Sequence, residues 1–169
     1  MTAARQPGKS QSIRLWPALT AISLLLCGIL PPAGPATAAT PVVEVNTYTG
    51  LAISGFDPVA YFGDKSPKTG RQDLELSLGG AVWRFRNEGN RAAFAERPDV
   101  YMPRFSGYDP VAIARGASVP GHPLFWAVVA ERLYLFYSEE ARKEFLADPG
   151  RILDRAARKW PQVARTIAR

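Results

Sequence analysis

The sequence predicts one α+β domain: an antiparallel sheet of about four strands, made from two hairpins, with short flanking helices and two pseudo-repeated halves. Three observations predict it. Ser54-Gly55-Phe56-Asp57-Pro58-Val59-Ala60 returns about fifty residues later as Ser106-Gly107-Tyr108-Asp109-Pro110-Val111-Ala112, with Phe changed to Tyr. Downstream, Phe85-Arg86-Asn87, Arg91, Phe94 and Pro98 are echoed in order by Phe136-Tyr137-Ser138, Arg142, Phe145 and Pro149. Between motif and echo, each half carries two apolar stretches of strand length. Self-similarity at a fixed displacement marks a repeated supersecondary unit. A unit of about fifty residues buries too little apolar surface to offset chain entropy, so the halves are expected to share one core.

The fold is expected to begin after residue 38. Arg5, Lys9 and Arg14 form a basic leader, residues 15–30 are largely apolar, and Ala36-Thr37-Ala38 is a small-residue site. That order is a secretory signal peptide cleaved after Ala38, with residues 39–169 as the single mature domain in the periplasm or outside the cell. A membrane anchor is the weaker reading, because the apolar run is short for a span and Pro and Gly crowd its exit, so the mature chain is not expected to span a membrane. Lipoprotein processing at Cys27 is the other alternative, disfavoured by Leu26 where a small residue belongs.

Of the 21 Lys and Arg, three lie in the leader, which leaves 18 against 15 Asp and Glu, a net charge of +3. The signs are mixed and no basic run carries interleaved aromatics, so nucleic acid is not an expected partner. The one cysteine, Cys27, leaves with the leader, and the one histidine is His122. Disulfide scaffolds, thiolate metal sites, cysteine catalysis and multi-histidine sites are thereby excluded for the mature chain.

In chain order, Val42, Val43 and Val45 suggest a short strand. Asp57-Pro58 has the form of a helix start, Asp as N-cap and Pro at the first helical position, with Gly63 as the stop. Residues 64–71 read as a loop. Leu74, Leu76 and Leu78, then Ala81, Trp83 and Phe85, alternate with polar residues around Gly79-Gly80, a two-residue hairpin with one wet face. Asn87 caps a helix to about Arg97 with Ala93 and Phe94 inward, ended by Pro98. Asp109-Pro110 starts another short helix closed by Gly116. Residues 124–130 and 133–137 form the second hairpin, turning at Glu131-Arg132. Residues 125–129 are apolar on both faces and predict the central, doubly covered strand. Ser138 caps the next helix, and Asp148-Pro149 starts the last. There Ile152, Leu153, Ala156, Ala157 and Trp160 form the inward stripe and Pro161 bends or ends the helix.

Three groups of side chains invite a chemical reading. Asp57 and Asp109, if pseudo-symmetry brings them together, make a carboxylate pair for proton transfer or for a hard cation; alternatively each caps its own helix. His122, between Gly121 and Pro123, has the pKa range of a ligand or proton carrier, or is simply solvated. Tyr48, Tyr61, Tyr101, Tyr108, Tyr134 and Tyr137 with Trp83 and Trp126 can line an aromatic pocket or fill the core. No Gly-x-Ser-x-Gly and no phosphate-binding loop is present.

Asp57-Pro58-Val59, then the run from Phe85 to Phe94, then Pro98 and Tyr101, resemble the YHS domain. The likeness is closest to its stand-alone exported members, which share Gly-aromatic-Asp-Pro-Val-Ala-Tyr-Phe, the later Gly-Tyr, a Leu-Tyr-Leu-aromatic strand as at 133–136, and Trp-Pro as at Trp160-Pro161. The resemblance covers about residues 48–162. It implies association with heavy-metal and copper transport, with cysteines as the usual ligands. In this sequence the cysteine positions of the family fall on Ala60, Arg86 and Asn90, and the equivalent places in the second half are Ala112, Tyr137 and Ala141. Asp109 stands where stand-alone members often have Cys. None is a soft-metal ligand, so the resemblance implies a shape more than a thiol chemistry.

The expected function is therefore a non-enzymatic, exported YHS-type module for a small ligand or a protein partner. The alternative is a metal-handling accessory protein, for copper or another heavy metal, holding a metal ion as cofactor through Asp57, Asp109 and His122 with Met102 in support.

Overall fold

The computed structural model describes Val45 and residues 49–167. The chain divides into two units, Met1–Thr37 and Ala38–Arg169, and the described residues lie in the second. The expected signal peptide, the alternative at Cys27, Tyr48 and most of the expected strand at 42–45 lie outside the described residues. Val45 itself makes an isolated antiparallel bridge with Ala52.

The same run of elements occurs twice. A 3-10 turn at Ile53–Gly55 leads to α1 (Ala60–Gly63), β1 (Arg71–Leu78), β2 (Ala81–Phe85), α2 (Glu88–Glu96) and α3 (Pro98–Tyr101). A 3-10 turn at Arg104–Gly107 then leads to α4 (Pro110–Ala114), β3 (His122–Val129), β4 (Arg132–Phe136), α5 (Glu139–Ala147) and α6 (Pro149–Ile167). From Arg71 to His122, Ala81 to Arg132 and Glu88 to Glu139 the displacement is a constant 51 residues.

Local sequence explains the elements. Asn87 and Ser138 accept the N–H groups of Asn90 and Ala141 at 2.7 and 3.3 Å, removing one orphan donor from each helix start. Gly79 and Gly80 turn the first hairpin with φ of 64° and 78°, the positive pair that a type I′ turn needs. The second hairpin turns one residue earlier than expected, at Ala130 and Glu131, which carry φ of 48° and 55° without glycine. Each repeated motif also opens on three consecutive left-handed residues, Ile53-Ser54-Gly55 and Phe105-Ser106-Gly107. A non-glycine residue there costs about 1–2 kcal/mol, and both turns are held by the same bond: Gly70 N–H donates to the Gly55 carbonyl and Gly121 N–H to the Gly107 carbonyl, each at 2.9 Å. Those two donors are glycines for lack of room. A Cβ on Gly70 falls 2.4 Å from the Arg84 Cβ, and one on Gly121 falls 2.5 Å from the Leu135 Cβ.

The α+β class holds, but the strands form two antiparallel two-stranded sheets, β1 with β2 and β3 with β4, in place of one sheet of four. The outer edge of β2 is already taken. Val82 N–H donates to the Gly50 carbonyl at 3.0 Å and Ala52 N–H donates to the Val82 carbonyl at 2.9 Å, so residues 50–52 sit where a third strand would pair.

What joins the halves is apolar packing across β4. Leu133 and Leu135 belong to the first core cluster with Ile53, Trp83, Phe85 and Phe94, whereas Tyr134 and Phe136 belong to the second with Ile113, Phe145 and Ile152. The doubly covered strand is thus β4, not the expected β3, where only Pro123 and Ala127 are buried. Equivalent ring clusters anchor each helix: Phe94 lies 4.9 Å from Trp83 and 5.2 Å from Phe85, and Phe145 lies 5.1 Å from Tyr134 and 5.0 Å from Phe136. Each such ring, buried fully, stabilises the fold by about 2 kcal/mol.

One expectation for the last helix is corrected: Ala157, placed in its inward stripe, is exposed. Pro98 opens the turn α3 as well as ending α2, and α6 continues through Pro161 to Ile167. A helical proline withdraws the bond to the carbonyl four residues earlier; that residue, Ala157, faces water instead of the core, so its carbonyl stays solvated. The buried stripe is Ile152, Ala156 and Val163, with Leu153 and Trp160 half-buried. No described helix is long and apolar enough to cross a membrane.

Candidate functional site

Among the described residues, the repeated aspartates are the only charged ones in the buried set. Asp57 Oδ1 accepts Val59 N–H at 2.9 Å, which closes the turn into α1. Its Oδ2 accepts Arg86 N–H at 2.9 Å, just past β2, and Asn90 Nδ2 at 2.7 Å from α2. Asp109 repeats the scheme: Oδ1 accepts Val111 N–H at 2.8 Å and Oδ2 accepts Tyr137 N–H at 3.0 Å, just past β4. Asp109 therefore caps the start of α4, whereas Asp57 closes the turn that leads into α1, whose N-cap is Val59, and each carboxylate staples its segment to the end of its own hairpin. The cap at Asp109-Pro110 was legible in the sequence, whereas the cap expected at Asp57 falls on Val59, with Ala60 as the first helical residue. The reach to a residue 28 or 29 positions away was not, because nothing local encodes it.

Burial pushes the Asp109 carboxyl above the usual aspartate range, against the opposing pull of the Tyr137, Val111 and Ala112 N–H groups and of Arg115. Burial also drives the Tyr61 phenol far upward, with the Asp57 charge adding to it.

His122 stands apart from this chemistry. It is exposed at the start of β3, its Nδ1 accepts Leu124 N–H at 3.2 Å, and its ring lies 5.5 Å from that of Phe125. Among the described residues no group of three or more His, Cys, Asp or Glu is gathered as a metal ion requires. Asp57, Asp109 and His122, read from sequence as a ligand set, are not brought together as one.

Among the described residues, two clefts offer room for a ligand. The first, of about 280 Å³, is lined by Trp83, Met102, Phe105 and Trp160, with Asp99, Arg104 and Ser106 as its polar groups. The left-handed turn at Phe105-Ser106 brings two adjacent side chains to it, and Trp160 packs edge-on to Phe105 at 5.6 Å. Among the described residues neither Asp99 nor Arg104 has an ion-pair partner. Sequence reading named Trp83 and Met102 but missed Phe105, Arg104, Asp99 and the lining role of Trp160. The signal available was the repeated left-handed motif, whose variable first position is Ile53 in one copy and Phe105 in the other.

The second cleft, of about 260 Å³, lies in the second half and is lined by Asp109, Ala112, Tyr137, Ser138, Glu140, Ala141 and Glu144 among others. Ala112, Tyr137 and Ala141 are the second-half counterparts of Ala60, Arg86 and Asn90, and all three line this cavity. Of the remaining tyrosines, Tyr61 is a core residue whose Oη donates to the Pro123 carbonyl at 3.0 Å. Burial also raises the Tyr134 phenol pKa, against Arg104 and Arg132.

No family model matches the chain, and no curated protein and no solved structure matches it.

Proposed function

We propose that the chain is an exported, non-enzymatic binding module of the YHS type, acting in the periplasm or outside the cell, and that the cleft at Trp83 and Trp160 holds its small organic ligand. One observation carries the reading. Asp57 and Asp109 each accept backbone N–H groups, and Asp57 the Asn90 amide as well, whereas the Trp83–Trp160 cleft combines apolar walls with Arg104, Asp99 and Ser106, none of which is ion-paired or hydrogen-bonded through its side chain to another described residue. Apolar lining with a few convergent polar groups is the usual make-up of a small-molecule site. Arg104 suits the anionic end of a planar, apolar ligand.

The test is titration with 1-anilinonaphthalene-8-sulfonate, a planar aromatic anion, followed by its fluorescence and by quenching of tryptophan. Saturable binding is expected, weakened about tenfold in the exposed variant Arg104→Ala and lost in Trp160→Leu. Binding that is unsaturable, or unchanged in both variants, overturns the proposal.

A further inference from the structure

The repeat offers an internal comparison. In the first half, Asp57 Oδ2 accepts from the Arg86 backbone at 2.9 Å and from the Asn90 side chain at 2.7 Å. In the second half, Asp109 Oδ2 accepts from the equivalent backbone N–H, that of Tyr137, at 3.0 Å. The residue displaced by 51 from Asn90 is Ala141, which has no donor to give. Ala141 lines the 260 Å³ cleft, and so does Asp109. The cavity opens where the first half places an amide.

Three properties of that cavity define what fits. Its carboxylate is 2% exposed, so a donor reaching Oδ2 meets an acceptor in a medium where charge-assisted hydrogen bonds are strong. Its lining carries Asp109, Glu140 and Glu144 against one cation, Arg115, whose Nη2 is 2.6 Å from Glu144. The balance is negative. The acids do not form a metal-binding group among the described residues.

We infer that the cleft beside Ala141 binds a small organic cation bearing N–H groups, a primary ammonium or a guanidinium, which donates to Asp109 Oδ2 in the place Asn90 occupies on Asp57. Val111, Ala112 and Val119 give room for a short apolar chain behind the charged head. The site is separate from the aromatic cleft and stands whether or not that cleft binds its own ligand.

The probes are n-butylammonium and methylguanidinium, with tetramethylammonium as a cation of the same charge that lacks N–H groups. Binding is read from the backbone amide resonances of Tyr137 and Val111 in the purified protein. Both N–H probes are expected to shift the Tyr137 amide saturably, and tetramethylammonium is not. Ala141→Asn, which supplies the missing amide, is expected to weaken binding at least about tenfold, the fold-change for loss of one hydrogen bond to a charged group. The exposed variant Glu140→Gln, which removes one negative charge from the lining, is expected to weaken it about threefold. The inference is overturned if the Tyr137 amide does not move, if tetramethylammonium binds as well as n-butylammonium, or if Glu140→Gln and a folded Ala141→Asn both bind as the parent does.

Discussion

Tyr61 Oη donates a hydrogen bond to the carbonyl of Pro123 at 3.0 Å, and the bond ties the two halves together at a point where their repeat is broken. The residue equivalent to Tyr61 in the second motif is Ile113, which is buried and has no hydroxyl. Tyr61 lies at the first helix of one half, Pro123 in the leading strand of the other, and the Tyr61 ring meets Trp126 edge-on at 5.3 Å. A repeat with perfect internal symmetry would lack this bond.

Tyr61→Phe should accordingly cost about 1–2 kcal/mol, because the buried Pro123 carbonyl loses its partner while the ring packing survives. Its effect should also depend on pH. The folded phenol has a raised pKa, so its contribution is complete below the ordinary value of 10.0 and is lost as pH rises above it. Urea unfolding between neutral and strongly alkaline pH should show the parent losing stability that Tyr61→Phe does not lose.

Replacing either repeated aspartate should be severe, and unequally so. Asp57→Ala strands three donors, the Val59 and Arg86 backbone N–H groups and the Asn90 amide. Asp109→Ala strands the Val111 and Tyr137 N–H groups and removes a weaker contact with the Ala112 N–H, but it strands no side-chain amide. At about 1 kcal/mol or more for each stranded donor, denaturant midpoints should rank the parent first, Asp109→Ala next and Asp57→Ala last. Equal losses would argue against Asn90 as the added partner.

Asp109 also sets a pH dependence of opposite sense to ordinary surface acids. Its folded pKa is raised by burial, so the fold favours its protonated form. The contribution is complete below the ordinary value of 3.8 and declines as pH rises through the raised value. Glu139 and Asp148, lowered by hydrogen bonds from Arg142 and Arg151, act in the other direction, losing their contribution as pH falls. The stability difference between the parent and Asp109→Asn, followed from acid to neutral pH by chemical denaturation, should therefore shift against the parent as pH increases.

The second hairpin turn is open to improvement. Ala130 and Glu131 hold φ of 48° and 55°, values that cost an L side chain and cost glycine nothing. Ala130→Gly or Glu131→Gly should stabilise the protein by up to about 1 kcal/mol, offset in part by the greater freedom of glycine in the unfolded chain. The same exchange at Gly80, in the reverse direction, should destabilise. Thermal melts of the three variants decide it.

Much of the candidate chemistry was misread from sequence for a physical reason visible in His122 and Phe105. A histidine in a Gly-Pro loop has the right functional group for a ligand, but whether other ligands converge on it depends on contacts far apart in the chain, and here its ring packs on Phe125 and accepts the Leu124 N–H. Phe105 reads as an apolar residue before a motif. The left-handed turn that brings it to a cleft beside Trp160, 55 positions on, is held by the Gly121 to Gly107 hydrogen bond.

The sequence by itself determined what short-range rules govern. The repeat, the glycine hairpin at 79–80, the caps at Asn87 and Ser138, the Asp-Pro helix starts and the inward Phe94 and Phe145 all follow from patterns within a few residues, where sterics and orphan backbone groups decide. Tertiary structure alone decided which edges and faces meet. Residues 50–52 took the free edge of β2, and so kept two hairpins from becoming one sheet; β4 rather than β3 became the shared wall; Asp57 reached Arg86 and Asn90; and α6 passed through Pro161 because Ala157 faces water. Apolar burial is non-directional and proportional to area, so it commits a strand to being covered without saying by what. The choice falls to the few hydrogen-bonding groups left over, and they find their partners only once the chain has closed on itself.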